Sequence, residues 1–385
     1  MRLVYCIPSL DTVGGTERVL TSKVNYLAEK FGYEIYIVLT ETQHAAPCFP
    51  LHPSIRVICL NLDFRQLDSH NIIGKALGYQ KKIKQYRKKL EQLLIAVKPD
   101  ITTSLLAWEI DFLGKLQDGS KKIGECHFNK DFRFSFIASD IHASLLRKKI
   151  AQMRSYQLVH AAKRLDMLVL LTHEDAKAWH EIPIIHKQVI PNALPASPEC
   201  QSDCNNKHII AVGRYTVQKG YDLLLEAWRL LEPAYPDWRL FIYGDGKCRE
   251  ELQNYANHWG LKRVTLEQRT DNVFGKFAEG GLSVLSSRFE GFGMVIIEAM
   301  ACGLPVVAFD CKSGPAEIIT DGEDGLLARP ENTADLADKM AVLMADDARR
   351  RKMGRAAKRN SARFCIETVM QQWVDLYRDM IDERA

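Results

Sequence analysis

Short apolar runs alternate with longer amphipathic segments along nearly the whole chain. This alternation limits the possible folds more than any other feature of the sequence. Runs such as Leu3–Ile7, Ile209–Val212 and Leu282–Leu285 have the length and apolar content of buried strands, and a segment with helical spacing follows each one. Strands that alternate with helices pair in parallel and carry the helices on both faces of the sheet. The sequence therefore predicts a doubly wound α/β architecture.

The alternation is interrupted between Pro191 and Asn206, where three prolines and many polar residues follow one another. A chain of 385 residues is too long for a single core and suits two domains. We place a first Rossmann-like domain at 1–195 and a second at 196–363. Two such domains joined by a linker form a cleft, which is the default place for a ligand.

Charge is distributed unevenly between the two halves. Residues 1–195 contain 27 Lys and Arg against 19 Asp and Glu, whereas the remainder contains 25 against 29. A basic first half suggests an acidic partner, a membrane surface or nucleic acid for that half only. The overall composition, 46% apolar and 26% charged, is that of an ordinary soluble globular protein.

A glycine-rich turn in the second half separates two carboxylates by eight residues. Glu290 lies in the loop, and Glu298 lies in the helix Met294–Ala301 that follows. Glu298 falls on a different face from the apolar stripe of that helix, so it need not enter the core. A strand–loop–helix turn directs backbone N–H groups and the positive helix end at one point, which suits an anion. The stretch could bracket a phosphorylated ligand that carries hydroxyl groups.

Two further loops have the same strand–glycine–helix form. Gly14-Gly15 precedes a helix for which Thr16 is the expected N-cap; taken alone, the pair is better explained by a tight βα turn than by a ligand site. Arg214 and Lys219 lie five residues apart before another helix, where fixed cations would neutralise a leaving diphosphate. Gly244 begins a Gly-x-Gly that lacks the third glycine of a dinucleotide fingerprint.

A helix expected over 74–94 carries seven Lys or Arg between positions 75 and 89. Two interpretations stay open: a solvated helix face, or a surface that meets anionic lipid or a pyrophosphate-linked acceptor. A second basic helix is expected over 141–165. The residues of the first helix assigned to a membrane or acceptor surface are Lys81, Lys82, Lys84, Arg87, Lys88 and Lys89.

A polar cluster, Glu125 to Asn129, follows the strand expected at Lys121–Cys126. Open parallel sheets place their ligands past the carboxyl ends of strands. His127 would share protons at a reaction centre there, although a lone histidine is also often a hydrogen-bonded structural residue.

The cysteines and the apolar runs indicate the cellular compartment in which the protein is expected to occur. Cys200, Cys204 and His208 lack a fourth ligand and the paired spacing of structural zinc sites, so we expect no metal there. The ten cysteines show no pairing pattern and suit a reducing compartment. With no apparent signal peptide and no apolar run of spanning length, we expect a cytoplasmic protein.

Taken together, these patterns resemble those of the GT-B sugar-nucleotide glycosyltransferases, in particular glycosyltransferase family 4 with its EX7E motif. The resemblance covers nearly the whole chain and is strongest over 207–330. The residues that carry it are Gly14-Gly15-x-Glu17, Gly213-Arg214 with Lys219-Gly220, and Glu290-x7-Glu298 within Glu-Gly-Phe-Gly-Met and Glu-Ala-Met-Ala-Cys-Gly-Leu-Pro-Val-Val.

The resemblance implies a role for each of these residues. Glu298 would hold the ribose hydroxyls, Glu290 the donor sugar, and Arg214 with Lys219 the diphosphate. Glu290 is also the one plausible covalent nucleophile, but hydroxyl binding suits it better. The other implied positions are the backbone N–H groups of Gly15, Phe292, Gly293, Met294 and Val295 at the anion, Gly14 and Gly244 in the nucleotide-sugar site, His127 at the anomeric centre, and Arg269 in the loop that holds the base. This loop lacks the glycine that the family commonly has. In such proteins the last helix, here 364–385, crosses back onto the N-terminal domain.

The expected activity is therefore retaining transfer of a hexose or N-acetylhexosamine from a UDP-sugar, or less readily a GDP-sugar, to a glycan acceptor. No metal cofactor and no nucleic-acid partner are expected. The basic helix favours a lipid-linked acceptor and an enzyme bound peripherally to the inner face of a membrane, in polysaccharide or glycoconjugate synthesis. Two alternatives remain: the same chemistry on a soluble acceptor, and a non-catalytic module that binds nucleotide sugars.

Overall fold

A computed structural model gives the structure of the chain. It describes residues 1–42, 46–69, 72–128, 145–179 and 186–382. Within these residues the chain divides into two units. The first comprises the residues up to 195 together with 366–382, and the second comprises 196–365. Asn129 of the predicted polar cluster and the first four residues of the predicted helix over 141–165 lie outside the described residues.

The first unit is built on a seven-stranded sheet in which every neighbouring pair is parallel. The strand order is β3-β2-β1-β4-β5-β6-β7, so the chain winds outwards from β1 in one direction and then from β4 in the other. Its strands are β1 Arg2–Ile7, β2 Glu34–Leu39, β3 Arg56–Cys59, β4 Ile101–Ser104, β5 Lys121–Cys126, β6 Met167–Leu170 and β7 Lys187–Val189.

Both faces of this sheet are covered. Successive residues of β1 belong to different apolar cores, since Leu3, Tyr5 and Ile7 pack into one and Val4 and Cys6 into the other. This follows from the two-residue period of a strand, which sends alternate side chains to opposite faces. The described helices of the unit are α1 Gly15–Phe31, α2 Ile72–Val97, α3 Ile110–Leu113, α4 Leu145–Ala162 and α5 His173–Ala178.

The second unit has a six-stranded sheet, also parallel throughout, in the order β10-β9-β8-β11-β12-β13. Its strands are β8 His208–Val212, β9 Arg239–Tyr243, β10 Val264–Glu267, β11 Leu282–Leu285, β12 Val306–Phe309 and β13 Gly325–Ala328. Its helices are α6 Tyr221–Leu231, α7 Arg249–His258, α8 Val273–Ala278, α9 Met294–Ala301, α10 Pro315–Ile318, α11 Thr333–Ala345 and α12 Asp347–Ser361. The predicted fold class, two doubly wound parallel-sheet domains, is confirmed.

The last helix, α13 Ile366–Asp382, belongs to the first unit although it follows the second in sequence. Val369, Trp373 and Leu376, three apolar residues at helical spacing, are all buried there. The hydroxyl groups of Tyr377 and Tyr5 lie 2.7 Å apart inside the same core. Because α13 packs against β1 and α1, the first unit is complete only when the C-terminal end of the chain is present.

Two local features differ from the predictions. Thr16 is not the N-cap of α1: the helix begins at Gly15, and Gly14 occupies the cap without a side-chain bond. A 3-10 helix at Phe64–Ser69 was not predicted. Its start depends on Glu41, whose carboxylate accepts from the N–H groups of Phe64 and Arg65. Such a tertiary cap leaves no signal in the sequence near the helix.

None of the helices in the described part of the chain is long and apolar enough to cross a membrane.

Candidate active site

The second sheet reverses its winding direction between β8 and β11, which are hydrogen-bonded neighbours at its centre. Open α/β sheets bind ligands in the crevice outside the carboxyl ends of two such strands, because the helices that follow them leave on opposite faces. The loop with Arg214 and Lys219 follows β8, and the loop with Glu290 follows β11. The topology therefore brings two predicted site loops to one edge of the sheet.

Lys219 and Glu290 are in direct contact at this edge. The ammonium Nζ of Lys219 lies 2.6 Å from Oε1 of Glu290, and the hydroxyl of Ser287 donates to the same oxygen at 2.6 Å. The side chains of the lysine and the glutamate are only 14% and 8% exposed, and Ser287 is fully buried. The carboxylate is thus held by two donors before any substrate hydroxyl reaches it.

Main-chain contacts keep the two loops together. The hydroxyl of Ser286 donates to the carbonyl of Lys219 at 2.9 Å, and the N–H of Arg288 donates to the carbonyl of Gln218 at 2.8 Å. Gly220 allows this approach, since its φ is +60° and a Cβ there would lie 2.1 Å from the carbonyl oxygen of Ser286. Any other residue at position 220 would push the lysine loop away from β11.

The N-terminal end of α9 follows the Glu290 loop. Gly293, with a φ of +99°, occupies its N-cap without a side-chain hydrogen bond. The first N–H groups of a helix have no partner within it, so those of Met294 and Val295 remain available to an anion. Phe292 is buried against the ring of Phe364, and this contact anchors the loop.

Glu298 is buried in the core, although its position on the helix predicted that it need not enter the core. It is only 2% exposed, and every residue of α9 from Ile296 to Ala301 is buried. The helix is packed on all sides because it lies between β11, β12 and the helices α8 and α12. The role implied for Glu298 at the ribose remains a prediction.

Three other predicted residues lie around the same sheet without joining the Lys219–Glu290 pair. Arg214 is exposed directly after β8. The backbone N–H of Gly244, after β9, donates to the carbonyl of Glu267 at 3.4 Å. Arg269 pairs with Asp271 at 3.0 Å in an exposed position after β10. Their assignment to the nucleotide sugar stays a prediction.

The glycine loop of the first unit is occupied by a carboxylate of the chain itself. Glu17 folds back over the start of α1, where its Oε2 would lie 2.1 Å from a Cβ on Gly14. Thr12 donates its hydroxyl to the other oxygen, Oε1, at 2.6 Å. A Cβ on Gly15 would meet nothing within 4 Å, so there is room beside the first turn. A negative group at this helix end is electrostatically favourable.

His127, one residue beyond β5, is buried and in contact with Glu125. Its Nε2 lies 3.1 Å from Oε1 of the carboxylate, within ion-pair distance but off the line of a good hydrogen bond. Oε2 of Glu125 accepts from the ammonium of Lys23 on α1. Burial would raise the pKa of Glu125, but the ammonium of Lys23 and the contact with His127 outweigh it and hold that pKa at about 2. Burial lowers the pKa of the Lys23 ammonium, although the neighbouring carboxylate of Glu125 opposes this shift.

Ser287, Glu125 and Lys23 were missed as site residues in the sequence analysis. Ser287 and Glu125 lie within three residues of a predicted site residue, and this proximity was the available signal. Lys23 offered none, since a single lysine in an amphipathic helix is normally solvated.

The basic surface of α2 divides into two groups. Lys82 donates to the carbonyls of Leu62 and Asp63, and Lys89 donates to that of Leu60 at 2.6 Å. These two lysines bind the loop after β3, so assigning them to an acceptor surface overlooked a structural role. The remaining four, Lys81, Lys84, Arg87 and Lys88, are exposed.

In the described residues, no three His, Cys, Asp or Glu side chains converge as a metal site. All ten cysteines are free thiols. Cys204 is buried and donates its thiol to the carbonyl of Gly303 at 3.3 Å.

Residues 198–360 match the family model described as Glycosyl transferases group 1. An uncharacterized glycosyltransferase of Haemophilus influenzae is 26% identical over 377 residues, which are 97% of this chain and 98% of the relative. An exopolysaccharide phosphotransferase of Streptomyces coelicolor is 35% identical over 59% of this chain. The amylovoran biosynthesis glycosyltransferase AmsD of Erwinia amylovora is 33% identical over 44% of it. The matches span only 25% of the Streptomyces protein and 47% of AmsD.

Solved structures extend the similarity to the whole fold. A sucrose-phosphate synthase from Thermosynechococcus elongatus superposes with a TM-score of 0.79 at 18% identity and covers 99% of each chain. A TarM variant of Staphylococcus aureus, in complex with fondaparinux, alpha-GlcNAc-glycerol and UDP, gives a TM-score of 0.76 at 16% identity, over 98% of this chain and 99% of TarM. The solved structures support a GT-B fold for this chain, and its residues 198–360 match the family model described as Glycosyl transferases group 1.

Proposed function

We propose that this protein transfers a sugar from a nucleoside diphosphate sugar to a glycan acceptor, with retention of anomeric configuration. One observation carries the proposal: the buried Lys219–Glu290 contact between the loops after β8 and β11, 2.6 Å long and shared with Ser287. It combines a fixed cation with a fixed carboxylate at the edge where a doubly wound sheet takes its ligand. Breaking a sugar–phosphate bond requires charge stabilisation of this kind on both sides.

The leaving group would be stabilised by positive groups alone. As the bond between sugar and diphosphate breaks, negative charge grows on the phosphate oxygens. Lys219, exposed Arg214 and the first-turn N–H groups of α9 are suited to this charge, and preorganised donors of this type are worth several kcal/mol in a transition state. No metal ion is needed in this scheme.

Glu290 would hold hydroxyl groups of the donor sugar. Ser287 and Lys219 both donate to its Oε1, which leaves Oε2 as an acceptor for a sugar hydroxyl. Its contact with Lys219 also joins the sugar and the diphosphate parts of the site. The acceptor hydroxyl would attack from the face that the diphosphate leaves, and His127 would lie near the anomeric centre, as the family resemblance implies.

The donor class we propose is a UDP-linked hexose or N-acetylhexosamine. The TarM complex that superposes on this chain contains UDP, and this supports uridine over guanosine. AmsD is named for the biosynthesis of amylovoran, and this supports a role in polysaccharide or glycoconjugate synthesis.

A lipid-linked acceptor, with binding to an anionic membrane surface, is the proposed partner. The exposed group Lys81, Lys84, Arg87 and Lys88 on α2 supports it, since each Lys or Arg near such a surface contributes about 1 kcal/mol. A soluble glycan acceptor is the second candidate, and equal rates on a short soluble sugar would favour it. A non-catalytic module that binds nucleotide sugars is the third candidate. The pairing of the Lys219 cation with the Glu290 carboxylate argues against it, because transfer chemistry needs both charges.

A donor screen tests the proposal. The melting temperature of the protein is measured with each UDP- or GDP-linked hexose and N-acetylhexosamine. Slow hydrolysis of each of these donors is measured separately. One UDP-sugar should raise the melting temperature, since a ligand at 100 times its Kd stabilises by about 2.7 kcal/mol. The same sugar should be hydrolysed and transferred with retained configuration. A shift without any turnover would instead indicate the binding module, and no shift with any donor would refute the proposal.

A further inference from the structure

A lysine, a glutamate and a histidine form a continuous chain of polar contacts inside the first unit. Lys23 on α1 donates to Oε2 of Glu125 on β5, and Oε1 of the same carboxylate lies 3.1 Å from Nε2 of His127. The side chains of Lys23 and Glu125 are each 2% exposed, and that of His127 is 4% exposed. The three groups are therefore closed off from water and act on one another at short range.

A third element holds the lysine in place. Nζ of Lys23 lies 3.7 Å above the ring of Trp373, and the ring of Tyr5 is 5.2 Å away. An ammonium over the face of an aromatic ring is attracted to it, most strongly when water is excluded. Trp373 belongs to α13, so the C-terminal helix supports an ion pair whose other end lies beside His127.

Burying the Lys23–Glu125 ion pair costs more free energy than filling the same space with apolar side chains. Each buried ion loses several kcal/mol of hydration, and apolar residues of similar volume often give equal or better stability. The pair also does more than satisfy itself, because each carboxylate oxygen of Glu125 has its own partner. A purely structural ion pair between Lys23 and Glu125 would not require the second carboxylate oxygen, Oε1, to face His127.

An ionised carboxylate can only accept hydrogen bonds, so the imidazole nitrogen that faces it carries the hydrogen. Lys23 keeps Glu125 ionised, and the pKa of the carboxyl is held at about 2. Among the described residues Nε2 of His127 makes no well-aligned hydrogen bond, but the carboxylate oxygen 3.1 Å away attracts an N–H and repels an electron pair. In the neutral ring this contact favours the hydrogen on Nε2, which leaves the electron pair on Nδ1.

We propose that Lys23 and Glu125 are positioning residues that fix the tautomer and orientation of His127, and that Trp373 keeps Lys23 in place. The inference rests on the proposed function, since a fixed histidine matters only if His127 serves the transfer reaction. Neither Lys23 nor Glu125 needs to touch the substrate. They act through the imidazole, which follows the carboxyl end of β5.

The test compares Lys23→Met, Glu125→Gln and the double variant. The single variants leave one buried charge unpaired and should melt at lower temperature, whereas the double variant removes both charges together and should fold like the wild type. An amide can donate or accept, so Gln at position 125 no longer selects one tautomer. Three quantities are measured: the melting temperature, the ¹⁵N chemical shifts of the His127 ring, and kcat and KM for the donor.

In the double variant we expect a melting temperature near that of the wild type and ring-nitrogen shifts that show a mixture of tautomers. We also expect kcat to fall about tenfold or more, the scale on which partners that orient a functional histidine act, with little change in donor KM. Tyr377→Phe is the matched control, because it removes the contact with Tyr5 from the same helix but leaves Lys23 and Glu125 intact. It should keep the wild-type tautomer and kcat.

The ring-nitrogen shifts separate failure of this inference from failure of the proposed function. If the wild type turns over no sugar nucleotide but the double variant loses the Nε2–H tautomer, the positioning role stands and the proposed function is refuted. An unchanged tautomer in a well-folded double variant overturns the positioning role whatever the activity. Recovery of both stability and kcat in the double variant would likewise show a purely structural ion pair.

Discussion

Nζ of Lys219 lies 2.6 Å from Oε1 of Glu290, across 71 residues of sequence. The lysine comes from the loop after β8 and the glutamate from the loop after β11, so the contact spans the switch point of the second sheet. A diphosphate that entered here would share the ammonium with the carboxylate. Binding of the donor and the strength of this contact are therefore coupled.

Replacement of Lys219 by Met should lower transfer activity by roughly 100-fold or more, because a fixed cation at the leaving group is lost. The melting temperature should fall as well, because the buried carboxylate of Glu290 then keeps Ser287 but loses its cation. Initial rates with the donor found in the screen measure the effect. Lys207→Met is the matched control, because it removes an exposed lysine from a surface pair with Asp237. Wild-type turnover in Lys219→Met would contradict the proposed role.

Glu290→Gln distinguishes hydroxyl binding from covalent catalysis. The amide preserves the shape and can still accept from Ser287, but the charge is lost. If the residue only binds donor hydroxyls, donor KM should rise by roughly 10- to 100-fold, the value of one or two charged hydrogen bonds. Steady-state kinetics separate kcat from KM. A loss of kcat by several orders of magnitude at constant KM would instead identify Glu290 as the reacting group.

Charge reversal of Lys81, Lys84, Arg87 and Lys88 to Glu should abolish binding to anionic vesicles and lower activity on a lipid-linked acceptor. These four side chains are exposed, so the fold should persist. Reversal of Lys352, Arg355, Lys358 and Arg359, exposed on α12 of the second unit, is a control of equal charge. Cosedimentation with vesicles of phosphatidylglycerol measures binding. Equal loss in both variants would indicate a general charge effect rather than a surface on α2.

Stability of the first unit should fall in acid because of Glu125. Its pKa lies at about 2 in the folded chain, against an ordinary value of 4.5. The unfolded chain therefore binds the proton more readily, and the stabilisation is complete above about pH 5 and lost as the pH falls towards 2. A shift of this size corresponds to a contribution on the order of 3 kcal/mol.

Urea unfolding at a series of pH values checks this, with the Lys23→Met and Glu125→Gln double variant for comparison. The variant should lose less stability than the wild type between pH 5 and pH 3. Parallel curves for the two proteins would show that the carboxyl of Glu125 is not depressed.

Chelation of divalent cations should leave transfer largely unchanged. The charge on the leaving diphosphate is assigned to Lys219, Arg214 and the end of α9, so no metal ion is required. Rates are compared with and without EDTA at constant ionic strength, and then after addition of Mg²⁺ or Mn²⁺. Abolition by EDTA and recovery with a metal would refute this scheme.

Local spacing alone predicted most of the fold. The strands Lys121–Cys126 and Leu282–Leu285 and the helix Met294–Ala301 were predicted with the bounds that the structure has. These elements can be predicted from local sequence because the signals that define them, namely periodicity, glycines and prolines, lie within the segment itself. The order of elements then determined the parallel, doubly wound architecture.

Contacts between distant segments were decided by the tertiary structure. Lys23 and Glu125 are 102 residues apart, and neither has a neighbour in sequence that shows the partnership. Lys82 and Lys89 belong to the same basic run as their exposed neighbours, yet they bind backbone carbonyls near β3. Glu298 is buried because other elements close around α9 on every side.

The sequence by itself thus determined which elements form and which loops carry glycine, cation and carboxylate. It could not determine which of those charges are paired or buried. Pairing depends on distances between segments far apart in the chain, and burial depends on what packs over a helix from outside it. Both are properties of the assembled sheets, and for Lys219 and Glu290 the decisive distance is the spacing of β8 and β11.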